Sequence, residues 1–346
     1  MKRKYFFVIL TLKVFIFSTL TYGQILYDII NLGTGVAYSV NNNGQIVGYS
    51  ANGATLFDTT GNHNNIILGP GIAYSINDNS QIVGYSSTDA MFYDNSGNGQ
   101  NINLGTGIAR SINNKGQIVG NSSGNAIIFD PIGSGNNINL GNGLAYSIND
   151  NGQIVGRDSD HHPVIFSPDY ITLSGKYIPL ANNNYGQIVG GTLSWGSNDN
   201  AVLFDSSGGS GNIVLGTGIA RDINNNGQIV GNSDGGATLF DPSGGGNNIA
   251  LNSLIAPDAG WDLRYAYAIN DNGWIVGYGH YGDSSDSMAF LLKPIPEPAT
   301  IILFAFGGLM FPRKKEQRKH GIEADAKISD GLESKGIQCL LEIDVP

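Results

Sequence analysis

Cysteine, glutamate and positive charge are scarce in this chain. The one cysteine, Cys339, lies near the C-terminal end, which excludes an intramolecular disulfide framework and a cysteine-based zinc site. Charged residues make up 13%, and residues 25–296 hold seven Lys/Arg against 20 Asp and no Glu. Without a basic stripe to neutralise phosphates, the chain is excluded as a nucleic-acid binder, and a Glu general acid or base is excluded before Glu297.

Glycine and asparagine are abundant instead. The chain of 346 residues contains 50 Gly, and its 39 Asn all lie between Asn31 and Asn272. Both residues disfavour helix interiors, whereas hydrophobic residues at 41% are too many for a disordered chain. This composition predicts turn-rich, all-β structure.

A five-residue motif, Gly-Gln-Ile-Val-Gly and its variants, divides the middle of the chain into seven repeats. The motif begins every 34 to 46 residues, at 44–48, 80–84, 116–120, 152–156, 186–190, 227–231 and 273–277. Each repeat has up to four short apolar runs, which we label A to D; in the third repeat they are 107–112, 117–120, 126–129 and 137–140. Short β-branched runs bounded by Gly, Asn and Asp are typical of strands.

Four strands per repeat predict a seven-bladed β-propeller over residues 26–293. The last repeat lacks a D run, and residues 29–33 before the first repeat match the D pattern. We therefore expect this N-terminal strand to complete the last blade and remove exposed sheet edges. The alternative fold is a β-solenoid.

The repeats resemble the HAF-repeat family of extracellular proteins. The resemblance rests on residues 73–79 with 81–84, followed by segments such as 237–240, and it covers residues 26–292. It implies an extracellular location and a repeat architecture, and it implies no particular chemistry.

The N-terminal segment predicts export. Residues 1–4 are Met-Lys-Arg-Lys and residues 5–20 are mostly apolar, so residues 1–23 are typical of a secretory signal peptide. The alternative is an uncleaved N-terminal anchor.

Residues 294–319 resemble the PEP-CTERM sorting signal of Gram-negative bacteria. They combine the motif Pro296, Glu297 and Pro298, the apolar segment 299–311, and a basic cluster that includes Arg313, Lys314 and Lys315. The resemblance implies export, transient insertion of 299–311 in the inner membrane, and processing by an exosortase-type enzyme. Such proteins belong to the cell surface and the biofilm matrix. One departure is the tail 320–346, since these signals normally end at the basic cluster.

Three insertions supply the candidate binding residues: the B–C connections of repeats five and seven and the D–A connection between repeats six and seven. By strand order, all three fall on one face of the disc. Aromatic rings can pack on the apolar faces of sugars and carboxylates can accept hydrogen bonds from sugar hydroxyls, so we expect this face to bind a glycan; the alternative is that these are long variable loops. The candidate residues are Trp195, Asp258, Trp261, Asp262, Arg264, His280, Tyr281, Asp283 and Asp286.

Other polar groups favour structural roles. Asp158, Asp160, His161 and His162 suit a metal by residue type, but adjacent strand residues point to opposite faces, which favours a solvated loop. A calcium ion in the Asn-Asp-Asn-Gly turns is disfavoured, because these turns lack the ligand spacing of a calcium-binding loop. The Asp that follows strand C in five repeats is typical of a turn-initiating residue: Asp58, Asp94, Asp130, Asp205 and Asp241.

The sequence therefore predicts an exported, non-enzymatic propeller at the cell surface or in the extracellular matrix. We expect its partners to be a polysaccharide or a surface protein, and we assign no catalytic residue, metal or cofactor. The alternatives are a polysaccharide hydrolase or lyase with paired Asp residues, and a structural protein without a ligand.

Overall fold

The structure is a computed structural model, and it describes residues 27–192 and 199–296. The expected signal peptide, residues 297–319 of the expected sorting signal, the tail and Trp195 lie outside these residues. The chain divides into two compact units, Met1–Pro296 and Glu297–Pro346, and every described residue belongs to the first. No helix within the described ranges has the length and apolar character needed to cross a membrane.

The described residues form an all-β structure of antiparallel sheets, which confirms the fold class expected from composition. Three of the four-stranded sheets contain the first, second and fifth repeats, with their strands in chain order. The first contains β2 (Val36–Val40), β3 (Ile46–Ser50), β4 (Gly53–Phe57) and β5 (Ile66–Gly69). The second contains β6 (Ile72–Ile76), β7 (Ile82–Ser86), β8 (Asp89–Tyr93) and β9 (Ile102–Thr106). The third contains β17 (Ile178–Asn182), β18 (Ile188–Gly191), β19 (Asn200–Leu203) and β20 (Ile213–Thr217).

Two more four-stranded sheets contain the sixth and seventh repeats. One contains β21 (Ile219–Ile223), β22 (Ile229–Ser233), β23 (Gly236–Phe240) and β24 (Ile249–Ala250), and a 3₁₀ helix (Leu251–Leu254) follows. The other contains β25 (Trp261–Ile269), β26 (Ile275–Tyr281), β27 (Met288–Pro294) and the N-terminal strand β1 (Tyr27–Thr34). Strand β1 pairs antiparallel with β27, with Asp28 opposite Lys293 and Ile30 opposite Leu291. The first described strand therefore occupies the D position of the last repeat.

The remaining sheet has seven strands because two repeats share one of them. It contains β10 (Ile108–Ile112), β11 (Ile118–Ser122), β12 (Asn125–Phe129), β13 (Ile138–Ile148), β14 (Ile154–Asp158), β15 (Pro163–Ser167) and β16 (Ile171–Thr172). The first part of β13 pairs with β12, and the part from Gly143 to Ile148 pairs with β14. The sequence predicts separate D and A strands here, and the structure instead runs them together.

The core lies between consecutive sheets. Seven hydrophobic clusters occur within the described residues, and each combines buried side chains of neighbouring repeats. One of them joins Leu291 and Val276 of the last sheet to Ile46 and Phe57 of the first. Each repeat thus packs on the repeat before it and the repeat after it, and the last packs on the first.

The last glycine of each motif is required by the packing of strand A on strand B. A Cβ built on Gly48 would lie 1.9 Å from the carbonyl oxygen of Val36 on the paired strand. The equivalent glycines of the other six repeats meet a strand-A carbonyl oxygen at 1.9–2.0 Å. Any side chain at this position would push the two strands apart, which explains why the motif ends on Gly.

Candidate functional site

Strand A contains a β-bulge at the same position in all seven repeats. In the first repeat Ala37 pairs with Gly48 and Ser39 with Val47, so Tyr38 between them has no cross-strand partner. Bulges re-aim side chains and are common beside functional sites. The seven bulged residues, which we call the bulge ring, are Tyr38, Tyr74, Arg110, Tyr146, Leu180, Arg221 and Tyr267.

The bulge ring lines a single cavity of about 210 Å³, and each of the seven residues contributes to its wall. Every one of these side chains is partly exposed. The ring centroid of Tyr38 lies 5.4 Å from that of Tyr74 and 4.8 Å from that of Tyr267, so these three rings form one continuous aromatic part of the wall. Tyrosines of strand B stack behind it, as Tyr85 does on Tyr74 at 5.7 Å.

Both arginines of the bulge ring are held by neutral groups. Arg110 donates from Nε to Oδ1 of Asn121 at 3.0 Å, and Arg221 donates from Nε to Oδ1 of Asn232 at 2.8 Å. Their guanidinium groups also lie over tyrosine rings, 5.2 Å from the Tyr146 centroid for Arg110 and 4.9 Å from the Tyr267 centroid for Arg221. Among the described residues, neither arginine has a carboxylate within 4.0 Å.

Burial favours the neutral form of three tyrosines of the ring, Tyr38, Tyr74 and Tyr267. Burial raises the pKa of Tyr267 to about 12, although the nearby Arg221 guanidinium opposes the shift. Burial likewise raises the pKa of Tyr38 and Tyr74 above the ordinary tyrosine value. The cavity therefore offers protonated phenols, two guanidinium groups and aromatic faces to a ligand.

The A–B turns, which begin three residues after each bulged residue, form two closed hydrogen-bond rings. The inner turn ring consists of Asn41, Asn77, Asn113, Asn149, Asn183, Asn224 and Asn270. In it, each Nδ2 donates to the backbone oxygen of the next member at 2.8–3.0 Å, and Asn270 donates to Asn41. All seven are buried, and each Oδ1 also accepts backbone N–H groups of its own turn, as Asn41 accepts from Gln45.

The outer turn ring follows one residue later and mixes Asn with Asp. Its members are Asn42, Asp78, Asn114, Asp150, Asn184, Asn225 and Asp271. Each backbone N–H donates to the Oδ1 of the next member at 2.8–2.9 Å. Each carboxylate also accepts Nδ2 groups from both neighbours, as Asp150 does from Asn114 at 3.1 Å and Asn184 at 2.9 Å. These bonds assign the turn carboxylates a structural role.

A second cavity of about 190 Å³ lies among the turn rings. Its apolar wall is formed by residues such as Val40 and Ile76, and Asn182 takes the equivalent position in the fifth repeat. Asn182 donates from Nδ2 to the backbone oxygen of Gln153 at 2.9 Å, whereas its Oδ1 is buried without a hydrogen-bond partner.

The insertion residues predicted as a binding face are partly brought together. Trp261 and Tyr281 are opposite each other in the β25–β26 pair, with ring centroids 5.2 Å apart. Asp262 forms an ion pair with Arg264 at 2.9 Å and lies opposite His280. Trp195 lies outside the described residues, so its position relative to this pair is not given by the structure.

The other three predicted binding residues are exposed carboxylates. Asp258 lies before β25, and Asp283 and Asp286 lie in the turn between β26 and β27. His280 Nδ1 is 3.3 Å from the backbone oxygen of Asp286, which connects the strand to this turn. The Trp261–Tyr281 pair is separate from the bulge ring, because Trp261 and Tyr267 are six residues apart along β25, about 20 Å at ~3.3 Å per residue.

The predicted metal candidates form a compact polar loop. Ligand atoms of Asp158, Asp160 and His162 lie within 4.8 Å of one another, and His162 Nδ1 is 3.1 Å from Asp158 Oδ2. His161 contacts Arg157 instead and does not join this group, in keeping with the expectation that only one histidine of the pair is available. The side chain of His162 is 59% exposed, and the group is typical of a solvated loop.

The Asp residues after strand C initiate turns. Asp58 Oδ1 accepts the N–H of Thr60 at 2.9 Å, and Asp241 Oδ1 accepts that of Ser243 at 2.9 Å. Side-chain hydrogen bonds from Thr60 and Ser243 are the main reason that the pKa of each carboxyl lies below its ordinary value. This is side-chain to backbone bonding of the expected kind.

Sequence reasoning missed the bulge ring because it looked for departures in loop length. The informative signal was residue variation at one position of strand A, which follows an Ala in six of the seven repeats. That position is Tyr, Arg or Leu.

No family model matches the chain, and no curated protein matches it.

Proposed function

We propose that residues 26–293 form a closed seven-bladed β-propeller that binds a glycan in the bulge-ring cavity and acts outside the cell. Three observations support closure of the ring. The seven hydrophobic clusters run from each repeat to the next and from the last to the first. The inner turn ring returns from Asn270 to Asn41, and β1 pairs with β27.

The observation that carries the binding proposal is the bulge ring itself. Seven strands place their bulged residues around one cavity, and four of these residues are tyrosines with partly exposed rings. Tyrosine combines an apolar face with a hydroxyl, so it packs on the apolar face of a sugar and also exchanges hydrogen bonds with its hydroxyls. A volume of about 210 Å³ is below the ~300–1,000 Å³ of drug-sized pockets, which suits one sugar residue.

Binding is favoured over catalysis by the chemistry of the cavity wall. Glycoside hydrolysis by the usual route needs two carboxyl groups on either side of the scissile bond. The bulge ring presents phenols, guanidinium groups and Leu180. Its side chains therefore suit recognition of a sugar better than cleavage of a glycosidic bond.

Export and surface sorting belong to the same proposal and rest on the two chain ends. The basic and apolar residues 1–23 and the motif 296–298 with its apolar and basic segments support them. We expect a mature N-terminus at Gln24 and a mature C-terminus at the Pro-Glu-Pro motif. Mass spectrometry of the protein recovered from cells tests both, and retention of residues 1–23 and 299–319 would contradict the sorting proposal.

The binding test is a polysaccharide pull-down with Tyr146→Ala. We expect at least about a tenfold loss of retention, or ~1.4 kcal/mol, because Tyr146 supplies part of the cavity wall. The matched control is Tyr185→Ala, a tyrosine that is 78% exposed in an A–B turn. Trp261→Ala tests the insertion face in the same assay.

Each outcome separates the alternatives. Loss with Trp261→Ala alone would move the site to the insertion face. New reducing ends or unsaturated products would favour the hydrolase or lyase. A wild-type protein that retains no glycan on an array would overturn the binding proposal.

A further inference from the structure

We propose that the bulge ring selects an acidic sugar, a hexuronate residue whose carboxylate binds one of the two guanidinium groups, that of Arg110 or that of Arg221. This inference rests on the proposed glycan-binding function and specifies the ligand of that site. The shared chemistry is a carboxylate on a hydroxyl-rich ring, whether free or at the end of an acidic polysaccharide.

The first argument is charge. Residues 25–296 carry 20 Asp and seven Lys/Arg, yet the bulge ring holds two of the seven cations and no acidic residue. Cavity walls of low polarity focus the field of charges placed in them, so this cavity attracts anions within an otherwise acidic unit.

The neighbouring carboxylate is committed elsewhere. Asp222 follows Arg221 directly, but its Oδ1 accepts the N–H of Ile223 at 2.9 Å and its Oδ2 accepts that of Ile269 at 2.8 Å. No ion pair joins it to Arg221 among the described residues. Asp222 therefore does not neutralise the positive charge of Arg221.

The second argument is hydrogen bonding. Each ring arginine uses Nε to bind a cross-strand asparagine, Asn121 or Asn232, and this bond orients its side chain. No Nη atom of either arginine donates a hydrogen bond to another described residue. A guanidinium group fixed through Nε has its outer N–H groups free for the two oxygens of a carboxylate, the geometry in which arginine binds most strongly.

The third argument is the position of the two cations. In ring order, Tyr146 and Leu180 separate Arg110 from Arg221 on one side, and three tyrosines separate them on the other. The ring thus alternates stretches of aromatic or apolar wall with single positive charges. A pyranose that bears one carboxylate matches this wall, because its apolar face and its anionic group occupy different parts of the ring.

The test is calorimetric titration of the exported chain with three probes: glucuronate, glucose and an oligogalacturonate. We expect glucuronate to bind at least about tenfold more tightly than glucose, with binding weakened by salt. Tighter binding of the oligomer than the monosaccharide would identify a polysaccharide end as the source, and equal binding would identify the free acid.

Two variants assign the effect to the ring. At least one of Arg110→Gln and Arg221→Gln is expected to lower glucuronate affinity at least about tenfold and to remove the preference over glucose, and that variant identifies the guanidinium group that binds the carboxylate. Lys115→Gln is the charge-matched control, since Lys115 is exposed in an A–B turn. Thermal melting of all three checks that the fold is retained.

The failures are distinguishable. Equal binding of glucuronate and glucose, both lost with Tyr146→Ala, would overturn the acidic-sugar inference and leave the glycan-binding proposal intact. Absence of binding to every probe and to polysaccharide would overturn both. Glucuronate binding that is unchanged in both arginine variants would place the anion elsewhere and overturn the inference.

Discussion

The bulged position of strand A and the turn that follows it differ in sequence variation and in hydrogen bonding. In the turn, every inner-ring position is Asn, and each Nδ2 bonds to the next member of the ring. Three residues earlier, the bulged position varies between Tyr, Arg and Leu, and the Nη atoms of its two guanidinium groups donate no hydrogen bond to any described residue. In this repeat protein, uniformity accompanies a structural role, and variation at a fixed bulge accompanies the proposed ligand site.

The largest effect is expected from removal of the N-terminal strand β1, which joins the first repeat to the last. Removing residues 27–34 takes away the partner of β27 and the fully buried Leu32. We expect no cooperative unfolding transition, because the last and first repeats then lose their shared core. Near-ultraviolet circular dichroism during heating measures this. Removing residues 320–346 is the control, and similar melting of the two deletions would show that ring closure adds little stability.

The next test removes hydrogen bonds of the inner turn ring alone. Asn113→Ala removes two Nδ2 bonds, to Gln117 and the backbone oxygen of Asn149, and two bonds accepted by Oδ1. At ~1 kcal/mol per buried bond, we expect the free energy of unfolding to fall by about 3–5 kcal/mol. Urea denaturation measures it, with the exposed Asn142→Ala as control. A loss below ~1 kcal/mol would contradict a structural role for the ring.

The third test concerns Asp222, next to the bulge ring. Burial raises its pKa to about 6, from 3.8, so the native state binds a proton more tightly than the unfolded state. The stabilisation by that proton is complete below pH 3.8 and is lost as the pH rises through 6. Ser39, Ser75 and Ser111 accept the equivalent backbone N–H in other repeats.

We therefore expect Asp222→Ser to raise the free energy of unfolding by ~1–3 kcal/mol at pH 7.5, with the gain disappearing near pH 4. Urea denaturation at both pH values measures the difference. An equal gain at the two values would mean that shape rather than charge is responsible, and a loss at pH 7.5 would contradict the burial argument.

The smallest expected effect is in the outer turn ring. Asn114→Asp replaces an amide that donates to Asp78 and Asp150 with a third consecutive carboxylate. We expect the free energy of unfolding, measured by urea denaturation at pH 7, to fall by ~1–2 kcal/mol, because like charges repel and the two donated hydrogen bonds are lost. Asn142→Asp adds the same charge at an exposed position and controls for net charge. Equal losses in the two variants would show that the alternation has no energetic role.

The sequence carried enough information for the class of fold and for the regular parts of each repeat. Apolar runs between Gly and Asn turns predict strands because period, turn chemistry and β-branched content all agree. The shared strand β13 was not predictable, since Gly141 and Gly143 have the composition of a turn and yet continue the ladder. The turn rings were not predicted either, because they depend on residues about 36 positions apart that only the packed repeats bring together.

The candidate site was the harder part. Trp261 and Tyr281 do meet, as long loops rich in aromatic residues suggest. The bulge ring was missed because a bulge depends on the register of two strands, and neither Ala37 nor Ser39 marks it in the sequence. The residue type of an arginine within a strand also does not show whether its side chain faces solvent or a cavity.

The outer turn ring alternates Asn with Asp over an odd number of positions. A two-residue alternation closes without error on an even number of positions, whereas on seven positions one adjacent pair must be alike. The chain places that pair at Asn184 and Asn225, where two amides meet rather than two carboxylates, and every other adjacent pair of the ring joins an Asn to an Asp. Removal of either the fifth or the sixth repeat would leave six positions in perfect alternation, so the electrostatics of the turns favour an even ring while the chain builds an odd one.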